Sequence, residues 1–369
     1  MSDKDLWLNK TSVKAFLALL KSSLWDIPLS DEYLEKLNFE DWISIYRIAY
    51  FQTVDGLIAE RITDLPDDLL PEQTLRYKFM LRSQQIQELN VRMNQVVGEM
   101  AMLFKLIDLT PILQKGQGIA QYYPKPLLRV CGDIDWYFPK NGPYEEAYLL
   151  MDELTNNVNY HANYSCGYTW KGLHVEHHQH LIQIRNPWKQ NFLQALLDQE
   201  KSIQSTIRIG TENIPIPKPV INSIMINMHI LNHQIGYGIG LRQMCDAAML
   251  YESVGTQLDA DYLIHVYKKL DVLKWIHVFH QTLVDGLGLD ERKLPIALER
   301  RKDSTWMMSD ILYAGNFAFH DPRYPDITKP FARVKRVPRL FYSFKKFFPL
   351  APIETISFPI MQVLTKFHR

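Results

Sequence analysis

Two aspartates one residue apart, Asp133 and Asp135, stand between Gly132 and an apolar run of Ile134, Trp136, Tyr137 and Phe138. In a β-strand, residues i and i+2 point to the same face, so the two carboxylates would lie side by side. Like charges held that close repel and call for a compensating cation. A hard divalent ion, Mg²⁺ or Mn²⁺, is the simplest one for carboxylate oxygens. An Asp-x-Asp pair in a surface loop would merely be solvated. This pair instead opens an apolar strand, and a Lys115-Gly116-Gln117-Gly118 turn precedes it in the chain.

Metal-assisted phosphoryl transfer commonly uses a third acid on a neighbouring strand. Glu176, in the run Leu173-His-Val-Glu-His-His178, is the best candidate. With a period of two, His174, Glu176, His178 and His180 share one face and Val175, His177 and Leu181 share the other. If the apolar set faces inward, Glu176 joins Asp133 and Asp135 in one cleft, and His178 can reach a substrate phosphate or ribose. Three histidines and a glutamate on one strand face also offer zinc-type ligands. They are nearly collinear, however, and one strand does not easily wrap a tetrahedral ion.

The block Lys115-Gly116…Tyr123-Pro124…Arg129…Gly132-Asp133-Ile134-Asp135 resembles an uncharacterised bacterial nucleotidyltransferase-like family within the DNA polymerase β-like nucleotidyltransferase superfamily. Gly238-Ile-Gly240-Leu-Arg242 through Asp246, and Gly315-Asn316-Phe317, are similar to that family's later signatures, so the resemblance runs over about residues 70 to 330. It implies an α+β fold: a polymerase β-like core, a mixed sheet with flanking helices, set between helical regions. It implies a metal-dependent transfer of an NMP from an NTP to a hydroxyl acceptor, with Asp133, Asp135 and Glu176 as catalytic residues holding Mg²⁺ or Mn²⁺. Lys115, Gly116, Gln117, Arg129, Gly132, His178 and Arg242 are the substrate-binding candidates it implies. The acceptor class (protein, RNA, sugar or other small molecule) is not specified. The superfamily turn usually reads Gly-Ser or Gly-Gly, whereas this chain has Gly116-Gln117, which removes a direct hydroxyl contact to phosphate. Lys115 and Arg129 are the nearest phosphate cations; a surface lysine and a structural salt bridge are their plainer roles. Arg242 and Asp246, four apart on an expected helix, can pair with each other. A non-catalytic nucleotide-binding or interaction protein on the same fold, and a metal-dependent phosphohydrolase, are the alternatives.

These residues must be positioned by the elements around them. Residues 1–108 read as a helical region. Asn38 and Asp41 can cap a helix carrying Trp42, Ile45, Tyr46 and Ala49, and Pro71 suits the first turn of a long helix carrying Leu75, Phe79, Leu89, Met93, Val96, Met100 and Phe104. Residues 109–215 form the nucleotidyltransferase core, with the proline-rich Ile214-Pro-Ile-Pro-Lys-Pro219 marking its end. Residues 216–327 read as a second helical region, with helices near 222–233, 241–251 and 262–273. Residues 328–369 form a basic, aromatic tail with no acid between Thr328 and Ile353. Such a tail can meet an anionic membrane or RNA, or pack its aromatics inward and leave a solvated basic face.

Lysine plus arginine and aspartate plus glutamate balance at 41 each, which gives the whole chain no electrostatic signature of a nucleic-acid binder. Three scattered cysteines, Cys131, Cys166 and Cys245, have no metal-ligand spacing and read as reduced thiols. With no signal-peptide pattern and no membrane-length apolar run, a soluble cytoplasmic protein is expected.

Overall fold

A computed structural model describes residues 10–139, 142–161, 165–200, 202–236, 238–301, 304–319, 321 and 337–367. Four helices come first: α1 (Thr11–Trp25), α2 (Phe39–Phe51), α3 (Asp55–Thr63) and α4 (Gln73–Lys105). Asn38 and Asp41 form a reciprocal capping box at the start of α2, which buries Trp42, Ile45 and Ala49 as its spacing requires. α4 begins at Gln73, two residues beyond Pro71, because Glu72 takes the extended cap position. It buries Leu75, Phe79, Met93, Val96, Met100 and Phe104, but Leu89 faces solvent and Ile86 and Asn90 turn inward instead.

The core follows as β1 (Ile112–Gln114), α5 (Gly116–Ala120), β2 (Ile134–Tyr137), α6 (Pro143–Thr155), β3 (Asn159–His161), β4 (Ser165–Trp170) and β5 (Leu173–His178). The five strands make one mixed sheet in the order β1-β2-β5-β4-β3. Only β2 and β5 run parallel; the other pairs are antiparallel. Lys171 and Gly172, both at positive φ, make the tight turn joining β4 to β5. The sheet face bearing Ile134, Trp136, Cys166, Tyr168 and Val175 joins a core with Met93, Val97, Met100 and Phe104 of α4 and Ala147 and Met151 of α6. The opposite face carries Asp135, Glu176 and His178. This is an α+β arrangement in which helices dominate.

After α7 (Pro187–Asp198) a two-stranded ribbon forms from β6 (Gln204–Ile209) and β7 (Glu212–Pro217). The proline-rich segment is therefore largely a strand. Lys218 N–H donates to Ile203 C=O at 2.9 Å, so by alternation residues 216 and 214 also point at β6. Pro215 and Pro217 fall on the outward positions, where a missing N–H costs no ladder bond.

The second helical region contains α8 (Pro219–Gly236), α9 (Leu241–Val254), α10 (Ala260–Leu270), α11 (Leu273–Thr282) and α12 (Thr305–Ala314). α8 is buried nearly all round and forms its axis. Asn227 of α8 donates to the Tyr251 and Tyr267 hydroxyls, at 2.8 and 2.7 Å. The expected helices at 222–233 and 241–251 are present and longer, while the one at 262–273 ends at Leu270, where Asp271 turns left-handed. Two further helices, α13 (Val337–Phe347) and α14 (Pro352–Phe367), close the chain against α8. Of the tail, residues 328–336 and 368–369 lie outside the described residues. Among those described, no helix is long and apolar enough to cross a membrane, and Cys131, Cys166 and Cys245 are buried free thiols.

Candidate active site

Parallel pairing of β2 with β5 sets Asp135 directly beside Glu176. Along β5 the burial alternates as its period predicts, with Leu173, Val175 and His177 inside and Glu176 and His178 partly open. His177, fully buried, bonds the Tyr168 hydroxyl at 2.6 Å, and burial lowers its pKa to about 3. It is a core histidine. On the other face, ligand atoms of Asp135, Glu176 and His178 all lie within 4.8 Å of one another. His178 Nε2 is 2.6 Å from Asp135 Oδ1 and 3.5 Å from Glu176 Oε2. His174, exposed at the strand's start, bonds Glu176 Oε1 at 3.3 Å and lies outside this cluster.

Asp133 sits just before β2 and is also outside the three-residue cluster. It is nonetheless close enough that repulsion from Asp135 is the main reason its pKa is raised, with burial second. Asp135 goes the other way. Burial would raise its pKa, but Lys115 and His178 outweigh that and hold the carboxyl well below its ordinary range. Lys115 Nζ is 3.1 Å from Asp135 Oδ1. Burial disfavours its charge, yet the surrounding Asp135, Asp133 and Glu176 raise its pKa.

The turn that delivers Lys115 is strained. Lys115 has φ +45° and ψ −137°, and Gly116 follows at φ +29°. A side chain at Gly116 would place Cβ 3.2 Å from the Asp133 carbonyl oxygen, so glycine lets the turn press against the aspartate segment. Gln117 is buried. Its amide donates to Asn90 Oδ1 at 3.2 Å, and the Cys131 thiol donates to its Oε1 at 3.6 Å. Asn90, mid-way along α4, donates to the carbonyls of Leu127 and Arg129 at 2.7 and 2.8 Å. Gln117 thus ties the turn to α4.

Arg129 is buried and makes a two-pronged ion pair with Asp246 of α9, both bonds 2.7 Å. The Tyr123 hydroxyl donates to the same carboxylate at 2.7 Å. Arg242 forms no ion pair with Asp246; its Nη1 donates to the Val130 carbonyl at 2.8 Å. The pairing four residues apart expected on α9 is thus replaced by a clamp from α9 onto residues 129–130, immediately before Gly132 and Asp133. Gly132 is exposed, with open space around its Cα.

Further side chains link the helices around the site. His229 and His233, one turn apart on α8, pack edge to face at 4.4 Å. Burial lowers both pKa values, His233 to about 3, and Lys115 and Arg242 push in the same direction, which places the pair beside the acidic cluster. Gln52, at the end of α2, donates to the carbonyls of Ile311 and Leu312 and accepts from Leu241 N–H. Asn316 accepts from Gln243 at 3.0 Å, and Phe317 packs on His233 at 4.9 Å. The spacing of the two histidines is visible in the sequence; Gln52 and Asn90 carry no such signal.

The donor set is two carboxylates and an imidazole with a third carboxylate nearby, and the raised Asp133 pKa shows charge that Lys115 does not fully offset. That chemistry suits a divalent cation. A family model described as uncharacterised nucleotidyltransferase matches residues 38–282, more than half of the chain and inclusive of every site residue named here except Asn316 and Phe317. No curated protein and no solved structure matches the chain. The chain belongs to this nucleotidyltransferase family.

Proposed function

We propose that the protein is a metal-dependent nucleotidyltransferase that moves an NMP from an NTP to a hydroxyl acceptor. The observation that carries this reading is the register of β2 on β5, which sets Asp135 beside Glu176 with His178 on the same face. Family membership supports it independently. The polymerase β-like core is part of the same proposal; the mixed sheet, with its turn from β1 into α5 and aspartates at β2, is consistent with it.

Asp133, Asp135 and Glu176 would hold Mg²⁺ or Mn²⁺, with His178 steadying the Asp135 carboxylate. The metal would neutralise phosphate charge and acidify the acceptor hydroxyl. The chain's own groups do the rest. Lys115 compensates the acids and is free to turn to a phosphate once a cation replaces it. Gly116 keeps the turn bare enough for close approach, and Arg242, next to Asp133 in the field of the site, adds positive charge at the cleft. In the reaction the acceptor oxygen bonds to the α-phosphorus, the bond to the bridging oxygen breaks, and pyrophosphate leaves while the hydroxyl proton passes to solvent or a nearby base. Arg129 is given a different role from the phosphate contact expected of it: its guanidinium is committed to Asp246, so it acts by positioning the Asp133 segment.

The test is transfer of label from α-phosphate-radiolabelled NTPs into cell lysate with Mg²⁺ or Mn²⁺, comparing wild type with Asp135→Asn. Label entering protein, RNA or a small molecule with wild type alone supports the proposal and identifies the acceptor class. NTP binding without transfer would favour a non-catalytic nucleotide-binding protein, and release of free phosphate without an acceptor would favour a hydrolase.

A further inference from the structure

The two C-terminal helices carry their polarity inside out. On α13, Arg339 and Ser343 are buried while Phe341 and Phe344, and Phe348 just after the helix, are exposed, Phe341 at 73 %. On α14, Glu354, Thr355 and Ser357 are buried while Ile356, Ile360, Val363 and Leu364 face outward, each between 44 and 54 % exposed. The outward positions recur at helical spacing, so each helix presents a continuous apolar stripe to its surroundings. The packing expected of such a tail, aromatics in and basic groups out, holds for Phe347, Phe358 and Lys345, but the exposed rings and aliphatic groups and the buried Arg339 depart from it.

The inward polar groups account for how the helices are held. Arg339 pairs with Asp321 at 2.9 Å, and Glu354 accepts the backbone N–H groups of Arg185 and Asn186 at 2.8 and 3.1 Å. Asn186 also donates to the Ser357 hydroxyl at 3.0 Å, and the Phe358 ring fills the space over Gly236. The helices are docked by these polar contacts together with Phe347 and Phe358, which leaves the apolar stripes outward. Apolar patches of this kind on otherwise soluble surfaces mark interaction sites.

We propose that this face is a docking surface for an anionic lipid bilayer, on which α13 and α14 lie in the interface plane. Charge is the deciding observation. Between Thr328 and Arg369 the only acid is Glu354, which is buried, whereas eight lysines and arginines besides the buried Arg339 fall in the same stretch. Lys345 stands exposed within the aromatic stripe of α13, beside Phe344. An apolar helix face on a stretch of sequence this rich in cations and this poor in acids is complementary to anionic headgroups over acyl chains. α14 has 16 residues, about 24 Å at the helical rise, too short to span the roughly 30 Å hydrocarbon core, so it lies on the membrane and does not cross it. A second copy fits less well, because a two-fold pairing would bring together two copies of this acid-poor, basic stretch. Single-stranded RNA fits less well too, because the aliphatic stripe of α14 offers no ring to stack on a base. Both helices follow the part of the chain that the family model matches, so the surface does not depend on the transferase reading.

The experiment is co-sedimentation of the full chain with vesicles of equimolar phosphatidylglycerol and phosphatidylcholine, against phosphatidylcholine alone. Binding at least about tenfold tighter to the anionic vesicles, about 1.4 kcal/mol, and weakening with salt, is expected. Phe344→Ser and Ile360→Ser should each reduce it severalfold with an unchanged thermal unfolding midpoint, and Lys345→Glu should remove much of the anionic preference. No sedimentation with either vesicle, or binding that the three variants leave unchanged, overturns the proposal. So does a concentration-dependent dimer that Ile360→Ser dissociates, or an RNA gel shift sensitive to the same variants without vesicle binding.

Discussion

Replacing Lys115 by methionine separates the cation built into the site from the cation the site is proposed to bind. The ammonium stands 3.1 Å from Asp135 Oδ1, with the lysine side chain 24 % and the aspartate 3 % exposed. At an effective dielectric constant near 20, two unit charges at that distance attract by about 5 kcal/mol before the cost of burying them. Burial of Lys115 is the largest opposing contribution, and His178 still bonds Asp135 when the lysine is gone. The net loss in chelator is therefore about 2 kcal/mol, below the 3–5 kcal/mol typical of orphaning a fully buried partner. Methionine keeps the length and tolerates the same backbone, so the strained turn is not a second variable.

Urea unfolding in EDTA, then in excess Mg²⁺ or Mn²⁺, reads the effect. With the ammonium absent, a divalent ion no longer competes for Asp135. A ligand at a hundred times its dissociation constant adds about 2.7 kcal/mol of stability. The variant should thus lose stability in EDTA and recover most of it with metal, while wild type changes less. The pH dependence has a fixed sign. Asp135 is depressed below its ordinary 3.8 in the folded state, so its contribution is complete above that value and is lost as pH falls below it. Lys115 is raised above its ordinary 10.5, so its contribution holds below that value and is lost above it. The gap between wild type and variant should be flat between those limits and close below about pH 4. Equal stability of the two proteins in EDTA, or equal stabilisation by metal, would refute the reasoning.

Asp246→Ala leaves the buried Arg129 without its partner and should cost about 3–5 kcal/mol in urea unfolding, with much of it recovered by the double change Arg129→Met and Asp246→Leu; a loss under about 1 kcal/mol would reject the clamp. Gly116→Ala meets both a positive φ and the Asp133 carbonyl, and should cost about 1–2 kcal/mol and depress label transfer beyond what the lost folded fraction explains. His233, held neutral by burial and by the cations Lys115, Arg185 and Arg242, should show no titration of its ring resonances by NMR between pH 5 and 8.

The acids were legible because their signal is local. A period of two puts Glu176 and His178 on one face of β5, the parallel pairing of β2 with β5 brings Asp135 beside them, and β4–β5 announces itself through Lys171-Gly172. Pairing of Arg242 with Asp246 follows from the same kind of local rule and fails. The buried side of α9 lies against the Asp133 segment, where a closer partner, Arg129, takes the carboxylate at 2.7 Å. The proline-rich strand was hidden because strand propensity counts prolines without regard to which side of the ladder each N–H faces. Gln52 and Asn90 matter only through neighbours far along the chain, and nothing within a turn or a strand of each marks them.

That contrast has a mechanical consequence for the site. The groups that tie the Lys115 turn and the Asp133 segment into place belong to helices outside the sheet: Asn90 from α4, Asp246 and Arg242 from α9. The sheet fixes Asp135 against Glu176 through backbone register, a constraint that survives most side-chain changes. Asp133 has no such support, since it precedes β2 and depends on residues 129–130 being clamped from α9. The two aspartates of one three-residue motif are therefore held by different means. Loosening α9 should move Asp133 and leave the Asp135–Glu176–His178 group intact, so an Asp246 variant that still folds would retain metal binding at that group while losing the contribution of Asp133.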